Sequence, residues 1–177
     1  MDNTLAPPWL QPTYRWEVPE GLEGTRRTLD IMRACVYQGR ESPMIRMTAV
    51  SLTVGLRPKA WTQECAALFQ FVRDRIRYVR DIMDVETLHT AEQVLTQGAG
   101  DCDDKAILLG SLLHSLQHGA RFVAIALHNP NNCDHVFVEC QPRMGGPWIP
   151  CETTEPVEFG FNPLKGRRIL KRIYAEC

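Results

Sequence analysis

The stretch GAGDCDDKAILL, residues 98–109, surrounds one thiol with carboxylates at the start of an apolar run. Cys102 lies between Asp101 and the pair Asp103 and Asp104. If Asp101 caps a helix here, Cys102 is the first helical residue, where the helix N-terminus lowers a thiol pKa and favours the nucleophilic thiolate. The three neighbouring carboxylates raise the thiol pKa and so oppose the effect of the helix N-terminus. The pattern therefore predicts a nucleophile only if a cationic partner lies nearby; on this motif alone, a buried structural thiol is the plainer interpretation.

The candidate partner is a histidine on a predicted strand. Alternation in CDHVFVEC puts His135 on one strand face, and alternation in PWIPCE puts Glu152 on one face of the next strand. A symmetric pairing about residues 143 and 144 would set His135 directly opposite Glu152, with Cβ atoms about 5 Å apart. The other pairs in this register are Val138 with Ile149 and Cys140 with Pro147. This geometry predicts a carboxylate that orients an imidazole.

Together these residues predict a catalytic triad. Cys102 would attack an acyl carbon, His135 would take and return the proton, and Glu152 would fix the tautomer and stabilise the imidazolium. The N–H of Cys102 would supply half of an oxyanion hole. Candidates for the second donor are Gln93, Gln97 and Trp148.

Metal binding is the weaker interpretation of the remaining ligand-type residues. His114 and His118 lie four apart on a helix, but we expect an exposed helix end there. A zinc site built from Cys133, His135, Cys140 and Cys151 is opposed by strand alternation, which turns Cys140 and Cys151 away from His135, and by the lack of a C-x-x-C pair. We expect no metal and no cofactor. His89 and His128 show no evident partner in the sequence.

Helices precede strands along the chain, so we expect an α+β protein with an antiparallel sheet. Apolar spacing predicts helices over residues 25–38, 43–53, 58–76 and 90–96, and a buried helix that starts at Cys102 and ends at Gly119. Strands are predicted at residues 78–79, in RFVAIALH, and in the two segments that carry His135 and Glu152.

The expected domain organisation has three parts. Residues 1–24, which are proline-rich and contain Trp9, Tyr14 and Trp16, predict an extended N-terminal arm. Residues 25–155 predict one domain. Residues 156–177 predict a solvated, partly helical basic tail, and docking to an acidic partner is the minority interpretation of this tail.

Bulk composition limits the possible partners. The 20 basic and 21 acidic residues of the 177-residue chain give a nearly neutral field, which does not indicate a nucleic-acid partner. Apolar runs are too short to span a bilayer, and the first residues lack the pattern of a signal peptide, so we expect no membrane association. Seven cysteines without repeated spacing favour free thiols in a reducing compartment, and hence a cytoplasmic protein.

Three segments resemble, in order, the cysteine, histidine and acid segments of the transglutaminase-like superfamily: GDCDDKAILLGSLL, HVFVE and WIPCETT. The upstream ETLHTAEQVLTQGAG is similar to the lead-in of bacterial and phage members. The resemblance covers about residues 77–155 and implies a papain-like core, with a nucleophile at a helix N-terminus packed on an antiparallel sheet. By this resemblance Cys102 matches the nucleophile and His135 the general base, while Glu152 stands where the family usually has aspartate.

The sequence leaves two function hypotheses. The leading one is a cysteine-dependent amide hydrolase or acyl transferase, of peptidase, amidase or transglutaminase type, that acts on a protein or peptide through a thioester at Cys102. Hydrolysis is favoured over crosslinking, because the chain shows no calcium-loop signature. The alternative is a catalytically weak or inactive binding or assembly protein, bacteriophage-derived, that uses the aromatic arm and the basic tail.

Overall fold

The computed structural model describes residues 19–80 and 87–177. Within these ranges the elements are α1 (Gly21–Arg40), α2 (Pro43–Thr53), α3 (Trp61–Arg75), β1 (Arg77–Tyr78), α4 (Ala91–Gln97), β2 (Ala99–Gly100), α5 (Cys102–Ser115), β3 (Gly119–Ala126), β4 (His135–Gln141), β5 (Ile149–Cys151) and β6 (Lys171–Glu176). The α+β class with an antiparallel sheet is confirmed.

An antiparallel sheet with strand order β5-β4-β3-β6 carries α5 on one face. The strand β4 alternates as its sequence predicts. Val136, Val138 and Cys140 join the main core beneath α5, whereas Phe137 joins a smaller cluster on the other face. Helices α1 to α4 cover α5, so that nearly every side chain of α5 is buried.

Local signals set the helix starts. Ser42 accepts from the N–H of Ile45 and Pro43 occupies the first turn, so α2 begins where the sequence predicts. Thr90 and Gln93 form a capping box at the start of α4, and Gly98 ends this helix in the left-handed region at φ 64°. The caps of the short α4 fix its place next to the chain that leads into Cys102.

Three predicted helix boundaries are wrong. Helix α1 begins at Gly21 rather than Thr25, so the last residues of the predicted arm are helical; residues 1–18 lie outside the described residues. Helix α3 begins at Trp61 because Lys59, at φ 66°, interrupts the run. Helix α5 ends at Ser115 rather than Gly119, because the chain turns at Gln117, which has a φ of 65°.

The predicted register of β4 with β5 is wrong by two residues. Val138 pairs with Cys151, and Cys140 pairs with Ile149. The turn is centred one residue later than predicted: Gly146 N donates to the carbonyl oxygen of Arg143 at 2.8 Å, and Gly145 adopts a φ of 78°. A shift of two residues keeps every side chain on its predicted face, because the side-chain period of a strand is two.

The prediction of a solvated, partly helical tail is also wrong. Residues 171–176 form the edge strand β6, which pairs antiparallel with β3 and sets Ile173 opposite Ala124. Ile173 and Ala175 pack against the main core, while the basic residues Lys171 and Arg172 are exposed. The sheet therefore extends the folded domain beyond residue 155. In the described part of the chain, no helix combines the length and the apolar character that a membrane span requires.

Candidate active site

The thiol of Cys102 is placed by the start of α5. Asp101 caps the helix as predicted, since its Oδ1 accepts from the N–H of Asp104 at 3.0 Å. The strand β2, paired in parallel with β1, fixes the approach to this cap. Gly100 is required there: an added Cβ would lie 2.5 Å from the Cβ of Asp104. Cys102 is therefore the first residue of α5, and its position is fixed by the Asp101 cap and by the preceding strand β2.

His135 and Glu152 form a short hydrogen bond at the edge of the sheet. The Nε2 of His135 donates to Oε2 of Glu152 at 2.6 Å, and the two side chains are 17% and 1% exposed. The other oxygen, Oε1, accepts from the backbone N–H of Thr154 at 2.8 Å and from its hydroxyl at 2.7 Å. Burial raises the pKa of Glu152, but the bonds from His135 and Thr154 outweigh burial and leave the pKa below its ordinary value.

The observed register of β4 with β5, extended by one residue, would make the contact between His135 and Glu152 diagonal. If the observed register is continued past the end of β5, Glu152 comes opposite Phe137 rather than His135. Diagonal neighbours on paired strands lie about 7–8 Å apart, a span that only longer side chains bridge. The extra methylene of glutamate relative to aspartate suits this longer reach. The sequence thus predicted the correct partners through an incorrect register.

Cys102 and His135 both line one cleft, which has a volume of about 1120 Å³. Its walls also include Tyr78 from β1 and Leu29 from α1. The backbone N–H of Val136, next to His135 in the chain, donates to the Cys102 thiol. This bond places the sulfur at the start of β4, where the histidine lies.

The surroundings of the Cys102 thiol, which donates to Oδ1 of Asp103 at 3.7 Å, are unfavourable to a thiolate. Burial, followed by the charges of Asp103 and Asp101, raises the pKa of Cys102 well above its ordinary value, against the lowering effect of the Val136 N–H. Because Glu152 accepts from Nε2 of His135, the Nδ1 of the neutral ring carries a lone pair. The imidazole therefore has a proton acceptor available on the ring edge opposite the carboxylate.

Comparison with known proteins identifies the family of the chain. The family model described as the transglutaminase-like superfamily matches residues 46–153. The chain belongs to the transglutaminase-like superfamily. None of the curated proteins matches the sequence.

Two crystal structures are similar to this member of the transglutaminase-like superfamily. One is a candidate cysteine protease from Cytophaga hutchinsonii, with a TM-score of 0.52 and 22% identity over 73% of this chain. The other is a candidate protease from Parabacteroides distasonis, with a TM-score of 0.51 and 14% identity over 64% of this chain. The chain spans only 41% and 24% of the length of these two proteins, and at these identities the likeness shows the fold alone.

Sequence reasoning missed a second histidine–carboxylate pair in this superfamily member. His89, which showed no evident partner in the sequence, donates from its backbone N–H to Oδ1 of Asp104 at 2.9 Å, and its Nδ1 lies 2.8 Å from Oδ2. Asp104 is 2% exposed and faces the loop that enters α4. Linear spacing carried no signal for this pair, because residues 89 and 104 meet only when α4 packs against α5.

The remaining histidines do not form the metal pair that the sequence analysis disfavoured. His118 is buried, with Nε2 3.0 Å from Glu64, and His114 is half-buried, so the expected exposed helix end is wrong. His128 lies 3.4 Å from Asp134. Across residues 19–80 and 87–177, no group of three or more histidine, cysteine or acidic residues has the geometry of a metal site.

None of the three candidates for the second oxyanion donor lines the cleft. The side chain of Gln93 is engaged in the α4 capping box, and Trp148 lies 4.3 Å beneath the guanidinium of Arg121. Gln97 lies at the end of α4. The structure therefore does not bring these three residues to the Cys102 thiol.

Proposed function

We propose that this chain is a cysteine-dependent amide hydrolase or acyl transferase that acts on a protein or peptide through a thioester at Cys102. The observation that carries the proposal is the buried 2.6 Å bond between His135 and Glu152, at the edge of the cleft that also exposes Cys102. A histidine oriented by a carboxylate beside a thiol at a helix start is the arrangement that nucleophilic acyl transfer requires.

In the proposed first half-reaction, Nδ1 of His135 takes the proton of Cys102, and the sulfur attacks the amide carbon. The N–H of Cys102, which has no acceptor within its own helix, stabilises the oxyanion. The C–N bond then breaks, the amine leaves with the proton from His135, and the thioester remains. Because burial and the neighbouring carboxylates raise the pKa of the isolated thiol, this step depends on His135 and on the charge of Glu152.

In the second half-reaction, His135 takes a proton from water, and the resulting hydroxide attacks the thioester carbon. The acid product leaves, and the thiol is reprotonated. We propose hydrolysis as the main outcome, since transfer to an amine would require a site that binds the amine in preference to water. In both half-reactions Glu152 stabilises the imidazolium and holds its orientation.

Alkylation of Cys102 tests the pair directly. Wild-type protein, His135→Ala and the control His128→Ala are treated with iodoacetamide at neutral pH, and the Cys102 peptide is quantified by mass spectrometry. His128 is 82% exposed, so its replacement leaves the site intact. We expect His135→Ala to slow labelling of Cys102 by at least about tenfold and His128→Ala to match wild type. Equal labelling in all three proteins would contradict the proposed pair.

A binding or assembly protein that keeps the fold without the chemistry is the second candidate. The raised pKa of Cys102 favours it, because a thiol that stays protonated is a poor nucleophile. A hydrolysis assay on a labelled unfolded protein substrate separates the two candidates. Activity that is lost in Cys102→Ala and kept in Cys133→Ser, a control thiol of the same cleft, supports the enzyme. Absence of activity with retained Cys102-independent partner binding supports the scaffold.

A further inference from the structure

Tyr78, the second residue of β1, lines the same cleft as Cys102 and His135. In the proposed reaction the oxyanion has one donor, the N–H of Cys102, whereas an oxyanion hole combines several donors aimed at one point. Tyrosine hydroxyls are among the side-chain groups that serve as such donors. Tyr78 therefore brings to the cleft wall a group of the type that the site still needs.

The pairing of β1 with β2 directs Tyr78 toward the start of α5. Tyr78 lies directly opposite Gly100 in this parallel pair, and the N–H of Val79 donates to the carbonyl oxygen of Gly100 at 3.0 Å. Directly opposite residues of paired strands point to the same face. That face is the one toward the first turn of α5, because a Cβ on Gly100 would lie 2.5 Å from the Cβ of Asp104. The side chain of Tyr78 is therefore on the side of the cleft where the N–H of Cys102 begins the helix.

Arg80 orients the hydroxyl of Tyr78. The guanidinium donates to the hydroxyl oxygen, and Arg80 also lines the cleft. Because a guanidinium has no acceptor, the hydroxyl proton of Tyr78 is left to donate to another group. Burial, followed by the charge of Cys102, raises the pKa of Tyr78 against the lowering effect of Arg80, so the hydroxyl keeps its proton at neutral pH. Tyr78 is thus an oriented donor on the cleft wall.

The other uncharged polar side chains of the cleft lie on different walls. Thr25 and Thr28 belong to α1, and the Thr25 hydroxyl donates to the carbonyl oxygen of Gly21 at 3.4 Å. The asparagines at 129, 131 and 132 belong to the loop that leads into His135, on the side where the leaving amine receives its proton. Among the described residues that line the cleft, Tyr78 is the hydroxyl donor on the wall attached to the start of α5.

We propose that the hydroxyl of Tyr78 is the second oxyanion donor of the candidate site. This inference rests on the proposed function of Cys102 and His135. As the S–C bond forms, the π electrons of the amide carbonyl move to its oxygen, which accepts from the N–H of Cys102 and from the O–H of Tyr78. Tyr78 keeps its proton throughout. When the electrons return, the C–N bond breaks and the amine takes the proton held by His135. Arg80 acts as a positioning residue that aims the hydroxyl.

The test compares two reactions of the same thiol, of which only one forms an oxyanion. Hydrolysis of fluorescein-labelled casein, an unfolded protein substrate, passes through a tetrahedral oxyanion. Alkylation of Cys102 by iodoacetamide displaces iodide from a saturated carbon and forms none. We expect Tyr78→Phe to lower kcat for casein by about 10²- to 10³-fold, the usual cost of losing one oxyanion donor, with KM and the rate of Cys102 labelling unchanged.

Tyr174 provides a matched control. It is 46% exposed against 41% for Tyr78, its hydroxyl accepts from Arg172 at 2.9 Å, and it lies on β6 outside the residues that line the cleft. Tyr174→Phe should match wild type in both reactions. Arg80→Met removes the group that orients the hydroxyl and should lower kcat less than Tyr78→Phe does. A larger loss in Arg80→Met would assign the donor to Arg80 and overturn the role of Tyr78.

The remaining outcomes separate the role of Tyr78 from the proposed function. Casein hydrolysis by Tyr78→Phe at the wild-type rate would refute the role. An equal loss of hydrolysis and of labelling would also refute it, because Tyr78 would then act on the thiol rather than on the oxyanion. The proposed function itself fails if wild type shows no Cys102-dependent hydrolysis, or if His135→Ala is labelled as fast as wild type. Thermal unfolding of each variant verifies that it is folded.

Discussion

Two histidine–carboxylate pairs flank the start of α5, and their atomic distances are nearly the same. His135 lies 2.6 Å from Glu152, and His89 lies 2.8 Å from Asp104. Only the first histidine lines the cleft that exposes Cys102. A short bond between an imidazole and a carboxylate therefore does not distinguish the pair proposed to be catalytic from the other; the position of its ring in the cleft of Cys102 does.

The second oxygen of each carboxylate shows what the pair is built to hold. Oδ1 of Asp104 accepts from the backbone N–H of His89, and Oδ2 contacts the ring of the same residue. Asp104 therefore binds His89 through two contacts and attaches the loop that precedes α4 to helix α5. Oε1 of Glu152 instead accepts from Thr154, which steadies the carboxylate and leaves Oε2 for His135. The first arrangement fastens a loop, whereas the second orients a ring.

The largest expected difference between the pairs follows from removing each histidine. His135→Ala should lower amide hydrolysis by about 10²- to 10⁴-fold, the usual contribution of a general base, and it should also lower the melting temperature, since the buried Glu152 loses a partner. His89→Ala should leave the rate within a few-fold. It should lower the melting temperature by several degrees, since it removes a partner of a buried carboxylate at a cost of about 1–3 kcal/mol.

Both variants are assayed with the labelled protein substrate and by thermal unfolding. Wild-type protein and His128→Ala serve as references. The comparison would be reversed if His89→Ala abolished turnover while His135→Ala remained active. In that case the pair at Asp104 would be the one that serves the thiol.

The pair of His135 and Glu152 was predictable from the sequence because His135 begins β4 and Glu152 directly follows the last residue of β5. Side-chain alternation fixes the face of His135 and of Glu152, and a register error of two residues leaves both faces unchanged. The cap at Asp101 followed from equally local chemistry. The sequence could not place the centre of the turn, because several residues of the hairpin could have occupied its central positions, and only the structure shows that Gly145 adopts the left-handed conformation.

The pair at Asp104 and the burial of Lys105 were not predictable in this way. Both depend on which helices pack against α5, and helix packing leaves no fixed spacing in the sequence. Asp104 and Lys105 are polar residues near a helix start, where solvent exposure is the ordinary expectation. The edge strand β6 was missed for a related reason: the basic character of residues 165–172 outweighed the alternation of Ile173 and Ala175, which face the core.

The variant Glu152→Asp tests how far the carboxylate must reach to bind His135. Glu152→Asp keeps the charge and restores the residue type that the superfamily resemblance leads one to expect. Because Glu152 reaches His135 diagonally, we expect aspartate to fall short and the hydrolysis rate to drop by about 10- to 100-fold, as for a misplacement of about 1 Å. Steady-state kinetics on the protein substrate measure this effect.

Glu152→Gln provides the matched comparison, since it keeps the length and removes the charge. If both the reach and the charge of Glu152 are needed, both variants are impaired, and a larger shift in the pH profile is expected for glutamine, which lacks the charge. An aspartate variant as active as wild type would show that the strands adjust to the shorter acid. The diagonal contact would then have no functional importance.

The smallest expected effect concerns stability in acid. The pKa of Glu152 is lower in the folded protein than its ordinary value of 4.5, because the bonds from His135 and Thr154 outweigh burial. A carboxylate with a lowered folded pKa stabilises the protein above its unfolded pKa, and this contribution is lost as the pH falls through the folded pKa. The free energy of unfolding of wild type should therefore exceed that of Glu152→Gln at neutral pH, and the difference should shrink below about pH 4.5.

Urea unfolding at several pH values measures this difference in the free energy of unfolding. A difference for Glu152→Gln that stays constant down to the lowest pH would mean that its carboxylate is not stabilised as an anion, and Glu152 would then hold His135 by hydrogen bonding alone.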